Sequence, residues 1–109
     1  MLIDRKKALL ELDMQEEMFN DLLNMFIEQT EPAVRQLEVI TSPFDYEAIR
    51  KTAHYINGSA ASMRIEAVQS IAGRIEVEAS DKQDIIMIKD SIMKLKDVFE
   101  ALKKEIAEG

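Results

Sequence analysis

Residues 85–106 read IIMIKDSIMKLKDVFEALKKEI. Ile85, Ile88, Ile92, Leu95, Phe99, Leu102 and Ile106 follow one another in alternating steps of three and four. That spacing keeps an apolar stripe on one side of an α-helix, as in the seam of a helical bundle. It predicts a long amphipathic helix at the C-terminal end and sets the reading of everything before it.

The same periodicity recurs upstream. Ile49, Ala53, Ile56, Ala60 and Met63 are spaced 4, 3, 4, 3 and predict a helix that starts near Phe44 or Asp45. Val68, Ile71, Ala72, Ile75 and Ala79 predict another over about residues 65–79, followed by a polar connection from Ser80 to Gln83. Phe19, Leu22, Leu23, Phe26, Ile27, Val34 and Leu37 mark a long helix running towards Val39. Asp13, with Glu16 three residues on, fits a capping box at its start. Pro32 lies inside this helix, where it removes a hydrogen bond and crowds the preceding turn, so a kink near Gln29 is expected rather than an end. Thr41-Ser42-Pro43 is the clearest turn. Asp4 to Leu12, with Ala8, Leu9 and Leu12 on one side, predicts a short lead-in helix covering one end. The expected fold is all-α: an antiparallel up-and-down four-helix bundle with a short N-terminal helix, forming a single domain over 1–109.

Composition agrees. Hydrophobic residues make up 47%, and only two prolines and three glycines interrupt a chain rich in helix formers. Fourteen basic against 21 acidic residues give a formal charge of −7, which argues against a nucleic-acid partner. No apolar run approaches the roughly eighteen residues of a membrane span, and the N-terminus lacks the order of a secretory signal. There is no cysteine. A cytoplasmic protein is expected, and the even spread of charge suggests a monomer.

One histidine and no cysteine exclude the usual zinc sites and the Glu-x-x-His pairs of di-metal bundles. No metal site and no cofactor of its own are expected. No glycine-rich phosphate loop is present, so an ATP site, and with it a kinase, is not expected. Glu16, Glu17, Glu76 and Glu78 read as solvated faces. His54 remains. At about 100° per residue, Ile49, Ala53, Ile56, Ala60 and Met63 fall within about 40° of one direction, and His54 lies about 140° away, on the outside. Gly58 and Ala61 share that side. A glycine inside a helix costs about 1 kcal/mol relative to alanine, and at about 180° from the core its use is clearance beside the imidazole. Neutral imidazole is a good nucleophile near pH 7, and phosphoryl transfer needs mainly positioning and charge stabilisation.

The segment Ala53-His54-Tyr55-Ile56-Asn57-Gly58-Ser59-Ala60-Ala61-Ser62-Met63 resembles the signature of the histidine-containing phosphotransfer family, roughly A-H-x-L-K-G-[SA]-[SA]-x-x-[LIM]-G. FNDLLNMFIEQTEPAVRQLE (19–38) looks like that family's first long bundle helix, and EAVQSIAGRIEVEAS (66–80) is similar to the helix after its histidine. The resemblance implies a phosphorelay intermediate that accepts a phosphoryl group on His54. The donor would be a receiver-domain aspartate or a hybrid sensor histidine kinase, and a response-regulator aspartate would receive it next. Any Mg²⁺ would belong to the receiver. Gly58 and Ala61 would face the partner. Met14, Met18 and Met25, beside the core stripe, suit either an adaptable docking surface or the edge of the core. Two positions depart from the pattern. The family's lysine is Asn57, which can donate a hydrogen bond but carries no charge, and Arg50 and Lys51, one turn before His54, are candidates to supply it. The family's helix-ending glycine is Arg64, so a tighter turn or a longer helix is expected there. The alternative is an adaptor with this fold that binds signalling partners without phosphorylation.

Overall fold

The computed structural model describes residues 2–40 and 44–108. Among these residues five helices follow in order: α1 (Arg5–Leu12), α2 (Glu16–Ile40), α3 (Tyr46–Ser62), α4 (Glu66–Ser80) and α5 (Ile85–Glu108). α2 to α5 form an up-and-down bundle in which each helix packs on its two neighbours, α2 closing the ring against α5. α3 and α4 share the most extensive contact. The bundle is elongated, 43 × 23 × 20 Å. Among the described residues no helix is long and apolar enough to cross a membrane.

The apolar stripes become the core. Phe19, Leu23 and Leu37 of α2, Ile49 and Ile56 of α3, Val68 and Ile75 of α4, and Leu95 and Leu102 of α5 are fully buried. Each such side chain contributes about 1.5–3 kcal/mol relative to exposure. Phe26 and Phe99 join α2 to α5 with ring centroids 6.4 Å apart. On the surface of the same pair Lys103 is ion-paired with Glu31, and its ammonium holds the Glu31 carboxyl below the usual range. Ile85 departs from its stripe: it is 39% exposed, because it stands in the first turn of α5, beyond the packed length of the bundle.

Local signals set the helix ends. Asp4, Asp45 and Asp84 cap α1, α3 and α5, their carboxylates accepting from Lys7, Ala48 and Ile86 amides at 3.1, 3.1 and 2.7 Å. Asp13 does not cap α2. It ends α1 instead, in a left-handed conformation (φ 50°). The Asp13 and Met14 amides bond back to the Leu10 and Leu9 carbonyls, a Schellman closure. α2 then starts at Glu16, with the Gln15 carbonyl accepting the Phe19 amide. α2 continues through Pro32 to Ile40, so the proline does not end it. The expected turn at Thr41-Ser42-Pro43 lies outside the described residues.

Arg64 and Lys82 repeat the closure at the ends of α3 and α4, with φ of 60° and 51° and amides returning to Ala61 and Ala79. The turn after α3 is therefore neither tighter nor longer than a glycine would make it: arginine adopts the glycine conformation. Its guanidinium bonds the Ala61 carbonyl at 2.9 Å and Glu11 of α1 at 3.1 Å, which offsets the strain. α1 is held further by Lys7–Glu66 and Arg5–Asn20 contacts, and Glu105 of α5 accepts the Leu2 and Ile3 amides.

Lys82→Gly is expected to stabilise the fold by about 1 kcal/mol in urea denaturation, since a left-handed residue with a Cβ is strained. Arg64→Gly should gain less, because it gives up the bonds to Glu11 and Ala61. Thr30→Val should also stabilise, by about 1 kcal/mol, since the Thr30 hydroxyl is buried in the core with no hydrogen-bond partner among the described residues.

Candidate functional site

The register of α3 fixes the site. Ile49, Ala53, Ile56 and Ala60 are fully buried on one side, so His54 emerges on the other, with 69% of its side chain exposed. α4 runs alongside, close enough for Glu76 to meet it. The Glu76 Oε2 atom lies 2.7 Å from His54 Nδ1, and the Asn57 amide nitrogen donates to Glu76 Oε1 at 3.3 Å. Glu76 is sheltered, its side chain only 23% exposed.

This carboxylate did not stand out in the sequence, where it read as part of a solvated face. Its partners lie 22 and 19 residues away on another helix. Periodicity within α4 carries no trace of them.

A carboxylate only accepts hydrogen bonds, so the network assigns the proton of the neutral imidazole to Nδ1. Nε2 then keeps its lone pair. The ring is oriented by a carboxylate on one nitrogen and is nucleophilic on the other, the division of labour that activates histidine in many sites. If a group bonds to Nε2, the ring becomes cationic, and Glu76 is in place to balance that charge.

The other expected residues fall into two sets. Gly58 is exposed, and a Cβ built on it would meet nothing within 4 Å. Among the described residues nothing requires a glycine there. Ala61 is half-buried on the same side. Arg50 and Lys51 are directed to Glu47 rather than to His54. Arg50 binds it through Nε and Nη2 at 3.2 and 2.6 Å, and Lys51 lies 4.0 Å away. The Arg50 hydrogen bond holds the Glu47 carboxyl below its ordinary range, and the same bond, with a smaller contribution from Glu76, raises Arg50. Asn57 turns inward, to Glu76.

On the α2 side, Lys51 and Tyr55 border an open groove with Gln29, Pro32 and Gln36. Met18 and Met25 of α2 are exposed, at 57% and 49%, whereas Met14 packs against the core. Among the described residues no group of three or more His, Asp or Glu side chains could hold a metal ion.

Gly58→Ala should raise the stability of the isolated protein by about 1 kcal/mol in thermal or urea denaturation, since the helix gains and nothing is crowded. A loss of stability would mean that the glycine serves packing.

The Hpt domain family model matches residues 21–106 of the chain. No curated protein sequence matches it. Among solved structures, the fold is similar to histidine-containing phosphotransfer protein B (HptB) from Pseudomonas aeruginosa PAO1, with a TM-score of 0.83 at 22% identity. The match covers 98% of this chain and 91% of that one. The α3 histidine motif, the bundle that exposes it and the match over most of the chain agree: this chain belongs to the Hpt domain family, whose role is histidine phosphotransfer in phosphorelays.

Proposed function

We propose that His54 is the phosphoryl acceptor of a phosphorelay intermediate. The observation that carries the reading is the Glu76 bond to Nδ1 of an exposed imidazole, which leaves Nε2 free. Nε2 attacks the phosphorus of a receiver-domain aspartyl phosphate. The P–O bond to the aspartate breaks and the aspartate leaves as a carboxylate. The product is an Nε2-phosphorylated imidazolium, still protonated at Nδ1, whose positive charge faces Glu76. The reverse step delivers the phosphoryl group to the aspartate of a response regulator. The chain is a carrier in this account, not a kinase, and works as a cytoplasmic monomer. Mg²⁺, where needed, comes with the receiver.

Positioning supplies most of the catalysis, because little covalent chemistry falls to the protein. The open space over Gly58 admits the partner's loop beside the imidazole. Met18, Met25 and Tyr55 are exposed and offer adaptable apolar contacts to a partner. Arg50 and Lys51 supply positive charge near the phosphoryl group when a partner draws them from Glu47.

Incubation with a phosphorylated receiver domain should give an acid-labile, alkali-stable label on the wild type and none on His54→Gln. Absence of label with several receivers, or equal label on the variant, would contradict the proposal. Binding of receivers that is indifferent to His54, without label, would support an adaptor instead. Gly58→Ala should slow transfer about tenfold or more despite its gain in stability, a misplacement effect. The Arg50→Ala, Lys51→Ala double variant should shorten phosphohistidine lifetime or slow its formation. If neither changes, these two side chains have no part in holding the group.

A further inference from the structure

We propose that Asn57 is a positioning residue: it fixes the Glu76 carboxylate, and through it the protonation of His54. The proposal rests on His54 acting as the nucleophile and assigns the part played by its neighbours.

Three observations converge on it. Asn57 stands three residues after His54 on α3, on the side that faces α4, and is partly buried there. Its amide nitrogen donates to Glu76 Oε1, while His54 takes Oε2, so the two oxygens of one carboxylate are held by two residues of one helix. The amide lies over Gly73 of α4. A Cβ at that glycine would sit 3.6 Å from the Asn57 nitrogen and 4.0 Å from its Cγ. Those are ordinary contact distances, so the Asn57 amide packs directly over this glycine and a much larger side chain there would meet it.

The chemistry explains the residue type. Glu76 has free torsions, and a carboxylate held at one oxygen only could swing away from the imidazole. A second bond to the other oxygen restricts that swing, as bonds behind a ligating or catalytic carboxylate commonly do. The amide is neutral. It therefore pins the carboxylate without cancelling the charge that must accept from Nδ1–H and later balance the phosphorylated ring. A lysine in this place would bring a cation to Glu76 or carry it outward to the phosphoryl group. Asn57 does neither. It carries no charge, and one of its two amide N–H groups is already engaged by Glu76.

The test is the tautomer of His54, read from long-range ¹H–¹⁵N correlations of the unphosphorylated protein at mildly alkaline pH. Wild type should show Nδ1 protonated and Nε2 bare. Asn57→Ala should move the signals towards a mixture containing the Nε2–H form and slow phosphorylation by about tenfold or less, without loss of the folded spectrum. Asn57→Asp, with a like charge against Glu76, should do more. Gly73→Ala should leave the tautomer unchanged, as its Cβ makes an ordinary contact, whereas Gly73→Leu should displace Asn57 and copy the Asn57→Ala signals. Wild-type signals in Asn57→Ala, or Nε2 protonated in the wild type, would overturn the proposal. The tautomer needs no phosphoryl donor, so this result stands apart from any failure of His54 to take up label.

Discussion

The site depends on how closely α3 lies against α4. The two helices share the most extensive contact in the bundle, and each buries small residues, Ala53 and Ala60 on α3 and Ala72 and Ala79 on α4, of the kind that let backbones approach. That approach brings a short asparagine and a glutamate into contact across the groove and places the glutamate under the imidazole. Residues with longer side chains on these seams would separate the helices. His54 would remain exposed, but with nothing to decide which nitrogen carries the proton.

Exposure and control are thus supplied by different parts of the fold. Exposure follows from the period of α3 alone: four fully buried positions on one side force His54 to the other. Control comes from α4, through a carboxylate that is partly withdrawn from water. The carboxylate is sheltered enough to keep a fixed geometry, and the imidazole projects far enough to meet a partner. Gly58 completes the arrangement by its lack of a side chain, at a cost in helix stability that has no return within the isolated protein.

Much of this was legible in the residues themselves. Ile49, Ala53, Ile56 and Ala60 of α3, and Met63 just after it, are all buried as their spacing requires, and the helix count exposes His54 without help from any relative. The readings that failed each involved a competing use of one residue. Asp13 carries the signature of an N-cap, but the same side chain tolerates the left-handed conformation, and the end of α1 claimed it. Arg64 looked like a departure that must reshape the turn. Backbone hydrogen bonding kept the turn as it was, and the arginine bears the strain. Glu76 and Asn57 were hardest to read, because their pairing spans two helices and leaves no mark in local periodicity. In the sequence Asn57 stands for a missing lysine and an uncharged donor; its acceptor, Glu76, lies on another helix.

In the proposed transfer Glu76 holds Nδ1 so that Nε2 does the chemistry. This is tested most directly by long-range ¹H–¹⁵N correlation of the phosphorylated protein with ³¹P coupling. Phosphorus should be bonded to Nε2 of His54, with Nδ1 still protonated. Phosphorus on Nδ1, or on any other residue, would contradict it.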